Sequence, residues 1–136
     1  MPFLNIQLAR HPDSNLAQSV ARSLTDLTES HLHKVPALTA IAVNFVEPNH
    51  WFIGGQSMES HALNSFALDI KITAGTNTKP EMANYIEAVF QTMANLLGRL
   101  HDASYVVIHE VPAAAWGYAG NTQEFRFIAG RIKAAA

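Results

Sequence analysis

Apolar and polar positions alternate along residues Pro2 to Leu8, with Leu4, Ile6 and Leu8 on one side and Phe3, Asn5 and Gln7 on the other. Period-two alternation predicts a half-buried strand. His11-Pro12-Asp13-Ser14 reads as a turn, with Asp13 or Ser14 as the helix N-cap. Leu16, Val20, Leu24 and Leu27 then recur at helical spacing, and the helix should fade before Pro36. Ala40 to Val46 is a second strand, ended by Pro48 and followed by an extension through Trp51 to a Gly54-Gly55 turn.

The same order then restarts. Phe66 to Ile72 is a strand, closed by Thr73-Ala74-Gly75-Thr76-Asn77. Pro80 suits a first helical turn. Met82, Tyr85, Ile86, Val89, Met93, Leu96, Leu97 and Leu100 give that helix a broad apolar face. Tyr105 to Val111 is the fourth strand, ended by Pro112, and Trp116 to Gly120 follows. Leu4 to Leu8 lies over Leu68 to Ile72 and Pro48 over Pro112 at a spacing of 64, with Trp116 one residue later than that spacing sets for Trp51. The chain therefore reads as one domain of two β-α-β units, about residues 2–64 and 66–128. Strands joined by a helix run parallel within each unit, and both helices should cover one face of an α+β, four-stranded mixed sheet.

Composition narrows the class. Hydrophobic residues make up 49% and charged residues 15% of the 136 positions, so the chain folds around a real core and carries surplus apolar surface for subunit contacts. The net charge of -2, without a Lys/Arg cluster, argues against nucleic acid. Without cysteine there is no disulfide framework and no thiol chemistry. No apolar run is long enough to span a membrane, and the basic start and apolar core of a signal peptide are missing. The expectation is a cytoplasmic enzyme or binding protein.

Pro2 is the residue with chemistry to offer. Aminopeptidases clip a Met that precedes a small residue, which would leave Pro2 with a secondary amine. Burial disfavours the charged form of an amine and lowers its pKa, producing the neutral base that proton abstraction needs. The plain alternative is a proline that starts an edge strand. A retained Met1 makes Pro2 a tertiary amide and removes the base.

Pro2 at the head of a doubled β-α-β unit resembles the tautomerase superfamily, which includes 4-oxalocrotonate tautomerase and macrophage migration inhibitory factor. Val43-Asn44-Phe45 with Phe52-Ile53-Gly54-Gly55, and the Ser104 to Gly120 segment, carry the likeness, which covers Pro2 to about Phe127. The resemblance implies a homotrimer with an active site around Pro2, close to a neighbouring subunit. It implies an isomerase that interconverts keto and enol forms of a small 2-oxo or 2-hydroxy acid, with Pro2 as general base and no cofactor. Arg10, Lys34 and Tyr105 are the substrate-binding candidates it suggests, Lys34 for its place ahead of Pro36 and Tyr105 from an adjacent subunit. The alternative is a non-catalytic trimer whose pocket binds a ligand or a protein.

The same comparison shows departures. Ala42 stands where an arginine is expected, Val107 replaces an asparagine, and Thr73-Ala74-Gly75-Thr76 has no arginine where other members carry a pair. Trp116 to Tyr118 and Thr39 stand near the carboxylates of the dehalogenase and decarboxylase members, which speaks against both reactions.

The remaining residues fit two roles each. His109 is either a pocket acid or a strand-edge histidine. Trp51 and Trp116 either wall a pocket or pack a subunit contact. Asp69 and Lys71 face outward or pair at an interface. The seven histidines lack metal-ligand spacing, so no metal is expected. Arg131 to Ala136 reads as a poorly ordered tail.

Overall fold

The computed structural model describes residues 1–136. The doubled unit forms as the hydrophobic pattern predicts. Strand β1 (Phe3–Leu8) leads to helix α1 (Ser14–Leu32) and strand β2 (Ala40–Phe45). A tight hairpin, β3 (Phe52–Ile53) and β4 (Gln56–Ser57), and a short helix α2 (Met58–His61) follow. The second unit repeats this order: β5 (Phe66–Thr73), α3 (Lys79–Leu97), β6 (Tyr105–Val111), the hairpin β7 (Gly117–Tyr118) and β8 (Asn121–Thr122), and helix α4 (Gln123–Ala135).

Local chemistry sets the helix ends. Asp13 caps α1, its side chain accepting from the Asn15 and Leu16 amides at 3.0 and 3.1 Å. Thr78 and Glu81 form a capping box on α3. His33 ends α1 in the left-handed conformation, with its N–H donating back to Glu29.

The main sheet has the order β2-β1-β5-β6. Pairs β1/β2 and β5/β6 are parallel, and β1/β5 is antiparallel. Helices α1 and α3 pack side by side over one face. Leu4, Ile6 and Leu8 of β1 and Phe66, Leu68, Ile70 and Ile72 of β5 are buried beneath them. Val20 and Leu24 of α1 meet them, with Tyr85, Val89 and Met93 of α3. Each such side chain contributes about 1.5–3 kcal/mol on burial, so the core, not helix propensity, holds the two units together. The other sheet face is open. Asp69 points out there and bonds His109 of the neighbouring strand at 2.9 Å, which makes His109 a strand-edge histidine.

Two sequence expectations are corrected. The repeat runs at 65, not 64, from the first helix onward: Ser14 and Lys79 start the long helices. Pro48 opens a single 3-10 turn, whereas Pro112 stands just before the equivalent turn, Ala113–Ala115. The tail is not loose. Thr122 caps α4 by accepting from the Phe125 amide at 2.9 Å, and the helix runs on to Ala135.

Candidate active site

The antiparallel register sets Phe3 opposite Lys71. The start of β1 therefore lies beside the end of β5. A cleft of about 560 Å³ opens at this end of the sheet. Met1, the Thr73 to Thr76 turn and Lys34 line one part of it, and Ala113, Gln123, Glu124 and Phe127 the other. All these residues come from one chain, and Pro2 is buried immediately inward of Met1.

Lys34 is brought here by the sharp end of α1. Its ammonium donates to Thr76 Oγ1 at 2.8 Å, and that hydroxyl donates to the Thr73 carbonyl at 2.6 Å. The turn that lacks arginine is thus supplied with a cation from α1. Burial pushes the Lys34 pKa down, while Glu81 pulls the other way. The Met1 amine is also held below its ordinary value, first by burial and then by the positive charges of Lys34 and Arg126. An amine at this end of β1 is biased toward its neutral, basic form.

The second wall comes from the Ala113–Ala115 turn and α4. The indole N–H of Trp116 donates to the Met1 carbonyl at 2.8 Å, so this tryptophan faces the peptide that precedes Pro2. Gln123, the first residue of α4, is anchored by its amide to the Trp116 carbonyl at 2.8 Å. Arg126, one turn further, lies 4.2 Å over the Tyr118 ring and donates to Gln123 Oε1 at 2.9 Å.

Of the four residues expected at the site, Lys34 lines the cleft and Pro2 lies at the same end of the sheet, buried behind Met1. Arg10 does not. It lies past the far end of β1, where its guanidinium donates to the Leu97 carbonyl at 3.0 Å. Tyr105 also lies at the far end, paired with Ala67 on the outer strand and 60% exposed. Its own chain does not carry it to the cleft. Gln123 and Arg126 escaped the sequence reading because it assigned no element between Gly120 and the expected tail at Arg131. The signal was present: Thr122 as a cap, then Phe125, Ile128 and Ile132 at helical spacing.

No protein-family model and no curated protein matches the chain. Solved structures do. Native fused 4-OT superposes with a TM-score of 0.80 at 22% identity, over 90% of this chain and 97% of that one. The chain has the tautomerase fold. An asymmetric trimer of wild-type fused 4-OT matches it at 0.78 and 20% identity, over 91% and 98% of the two chains. A macrophage migration inhibitory factor-like protein from Entamoeba histolytica gives 0.73 at 18%, over 89% and 97%. The tautomerase fold thus spans both units of the chain, and its doubled form is the one matched.

Proposed function

We propose that the chain is a tautomerase-superfamily isomerase that moves a proton within a small enolisable 2-oxo acid, with Pro2 as general base. The carrying observation is the depressed amine at the head of β1, beside a cleft edged by Lys34 and near Arg126. Pro2 is more deeply buried than Met1. A nitrogen freed at Pro2 by removal of Met1 stays close to the Lys34 and Arg126 charges that lower the Met1 amine. The neutral nitrogen takes a proton from the enol hydroxyl or the acidic carbon. As ammonium, it returns that proton to the other end of the conjugated unit. Lys34 offsets the cost of bringing the substrate carboxylate out of water and stabilises the developing enolate oxygen. A neighbour in fold, Pt0534, is inactivated by 2-oxo-3-pentynoate, a small 2-oxo acid, which supports the reading.

The assay is enol–keto exchange of phenylpyruvate and 2-hydroxymuconate. Pro2→Ala should slow it about 100-fold or more; a variant at the wild-type rate means another group is the base.

The Trp116 contact to the Met1 carbonyl favours a second reading, a non-catalytic binding trimer. Mass spectrometry of the chain from its native host separates the two, since complete retention of Met1 leaves no free Pro2 nitrogen. In either reading a homotrimer is proposed, as fused 4-OT forms. Strand β6 is an uncovered edge with Tyr105 and Val107 exposed. Sedimentation showing a monomer at micromolar concentration removes any role for Tyr105 of the partner subunit in the cleft.

A further inference from the structure

Gln123 lines the cleft yet is only 9% exposed. Its two side-chain atoms are treated differently. Oε1 accepts from Arg126 at 2.9 Å, which fixes which way the amide points. Nε2 is buried and has no hydrogen-bond partner. A buried donor without an acceptor is costly, and native proteins rarely leave one unless something else satisfies it.

We propose that Gln123 Nε2 is the second contact for the substrate carboxylate, donating to one of its oxygens beside Lys34, and that Arg126 is the positioning residue that holds the amide in this orientation. The ligand class is a small 2-oxo acid, so this inference rests on the proposed function for its substrate. The surrounding charge agrees with an anion. Lys34 lines the cleft, Arg126 backs Gln123, and the start of the thirteen-residue α4 presents its positive end. Glu124 is the one carboxylate in the lining and opposes them, so the anion belongs on the Lys34 side of Gln123. This contact occupies the role left open by the missing arginines of the Thr73 to Thr76 turn, and it comes from α4, which a strand-based comparison does not reach.

The test is titration calorimetry of phenylpyruvate and its methyl ester on protein from which Met1 has been removed. Wild type should bind the acid more tightly than the ester. Gln123→Met keeps the length and deletes the donor. It should weaken acid binding about tenfold, weaken ester binding by a smaller factor, and leave the ligand-free Tm equal or higher, because an unpaired donor has been removed. Gln123→Glu retains an acceptor for Arg126 but faces the ligand carboxylate with a negative charge, and should abolish acid binding while weakening the ester far less. Arg126→Met should weaken the acid by a smaller factor, and Arg126→Lys should recover part of it. Equal binding of acid and ester by wild type overturns the proposal. So does an unchanged acid affinity in both Gln123 variants, or a parallel loss of acid and ester. Calorimetry reads binding without turnover. A wild type that binds the acid but does not isomerise it counts against the catalytic reading alone.

Discussion

The Trp116 indole N–H and the Met1 carbonyl are joined at 2.8 Å across 115 residues of sequence. The bond ties the end of the second repeat to the start of the first, at the peptide whose cleavage would create the proposed base. While that peptide is intact, Pro2 is an amide and Trp116 has an acceptor. Cleavage frees the Pro2 nitrogen and leaves the indole N–H unpaired beside it. Substrate oxygen is then its natural partner. A chain carrying an uncleavable N-terminal extension should lose isomerisation by about 100-fold or more. Trp116→Phe in the cleaved protein should lose a few-fold to about tenfold in kcat/KM. Equal rates with and without the extension would show that the Pro2 nitrogen takes no proton.

The lowered amine predicts a direction for the pH profile. Burial and the charges of Lys34 and Arg126 destabilise the protonated form. Those charges remain once Met1 is removed, so the proposed Pro2 base should likewise be lowered, with its neutral form predominating above that lowered value. The rate should rise as pH increases through that lowered value and level off above it. Lys34→Met removes one repelling charge and keeps the bulk, so the rising limb should move to higher pH while KM for a 2-oxo acid increases. The stability sign is the same. An amine whose folded pKa is depressed leaves full stability above its unfolded value and costs stability as pH falls below it. Profiles that coincide for wild type and Lys34→Met would mean that the titrating group is remote from Lys34.

The four long strands and two long helices were legible because each buries one clean face. Leu4, Ile6 and Leu8 alternate, and Tyr85, Val89 and Met93 recur every four residues. The open sheet face and α4 were not legible in the same way. Helix α4 has exposed apolar residues, among them Phe127 and Ile132, so its stripe lacks the buried partner that makes a helical period convincing. The site was half legible. Pro2 and Lys34 stand out by chemical type and place, but that the Thr73 to Thr76 turn lies at their end of the sheet depends on the antiparallel β1/β5 register, which the sequence pattern leaves open. Proximity in sequence misled in the case of Arg10. Eight residues along a strand is about 26 Å, more than the whole length of β1.

That placement gives Arg10 a structural role. Its guanidinium donates to the Leu97 carbonyl at 3.0 Å and to Asn64 Oδ1 at 3.4 Å, tying the end of β1 to the end of α3. Arg10→Ala should lower stability by about 1–2 kcal/mol, seen as a shift of the urea midpoint at constant slope. KM for phenylpyruvate should remain within about twofold, since an effect confined to folding leaves substrate binding alone. A large rise in KM with unchanged stability would return Arg10 to the carboxylate.

Thr28 and Tyr85 supply the polar link between the two long helices. Both are fully buried, and their hydroxyls lie 3.0 Å apart. Thr28 also donates to the Leu24 carbonyl at 2.7 Å, so in their mutual bond the phenol is the donor. The two deletions are therefore unequal. Tyr85→Phe removes the phenol and leaves Thr28 bonded to Leu24, which should cost about 1 kcal/mol. Thr28→Val leaves a buried phenol with no partner and should cost more, about 1–3 kcal/mol. The double variant should cost less than the sum, because the contact can be lost only once. Burial pushes the Tyr85 pKa up to about 12 even against the Thr28 bond. A spectrophotometric titration should therefore find the Tyr85 phenol of the folded protein still protonated above the usual tyrosine value of about 10. Equal losses from Tyr85→Phe and Thr28→Val would show that the phenol finds another acceptor, and the asymmetry argued from Leu24 would fail.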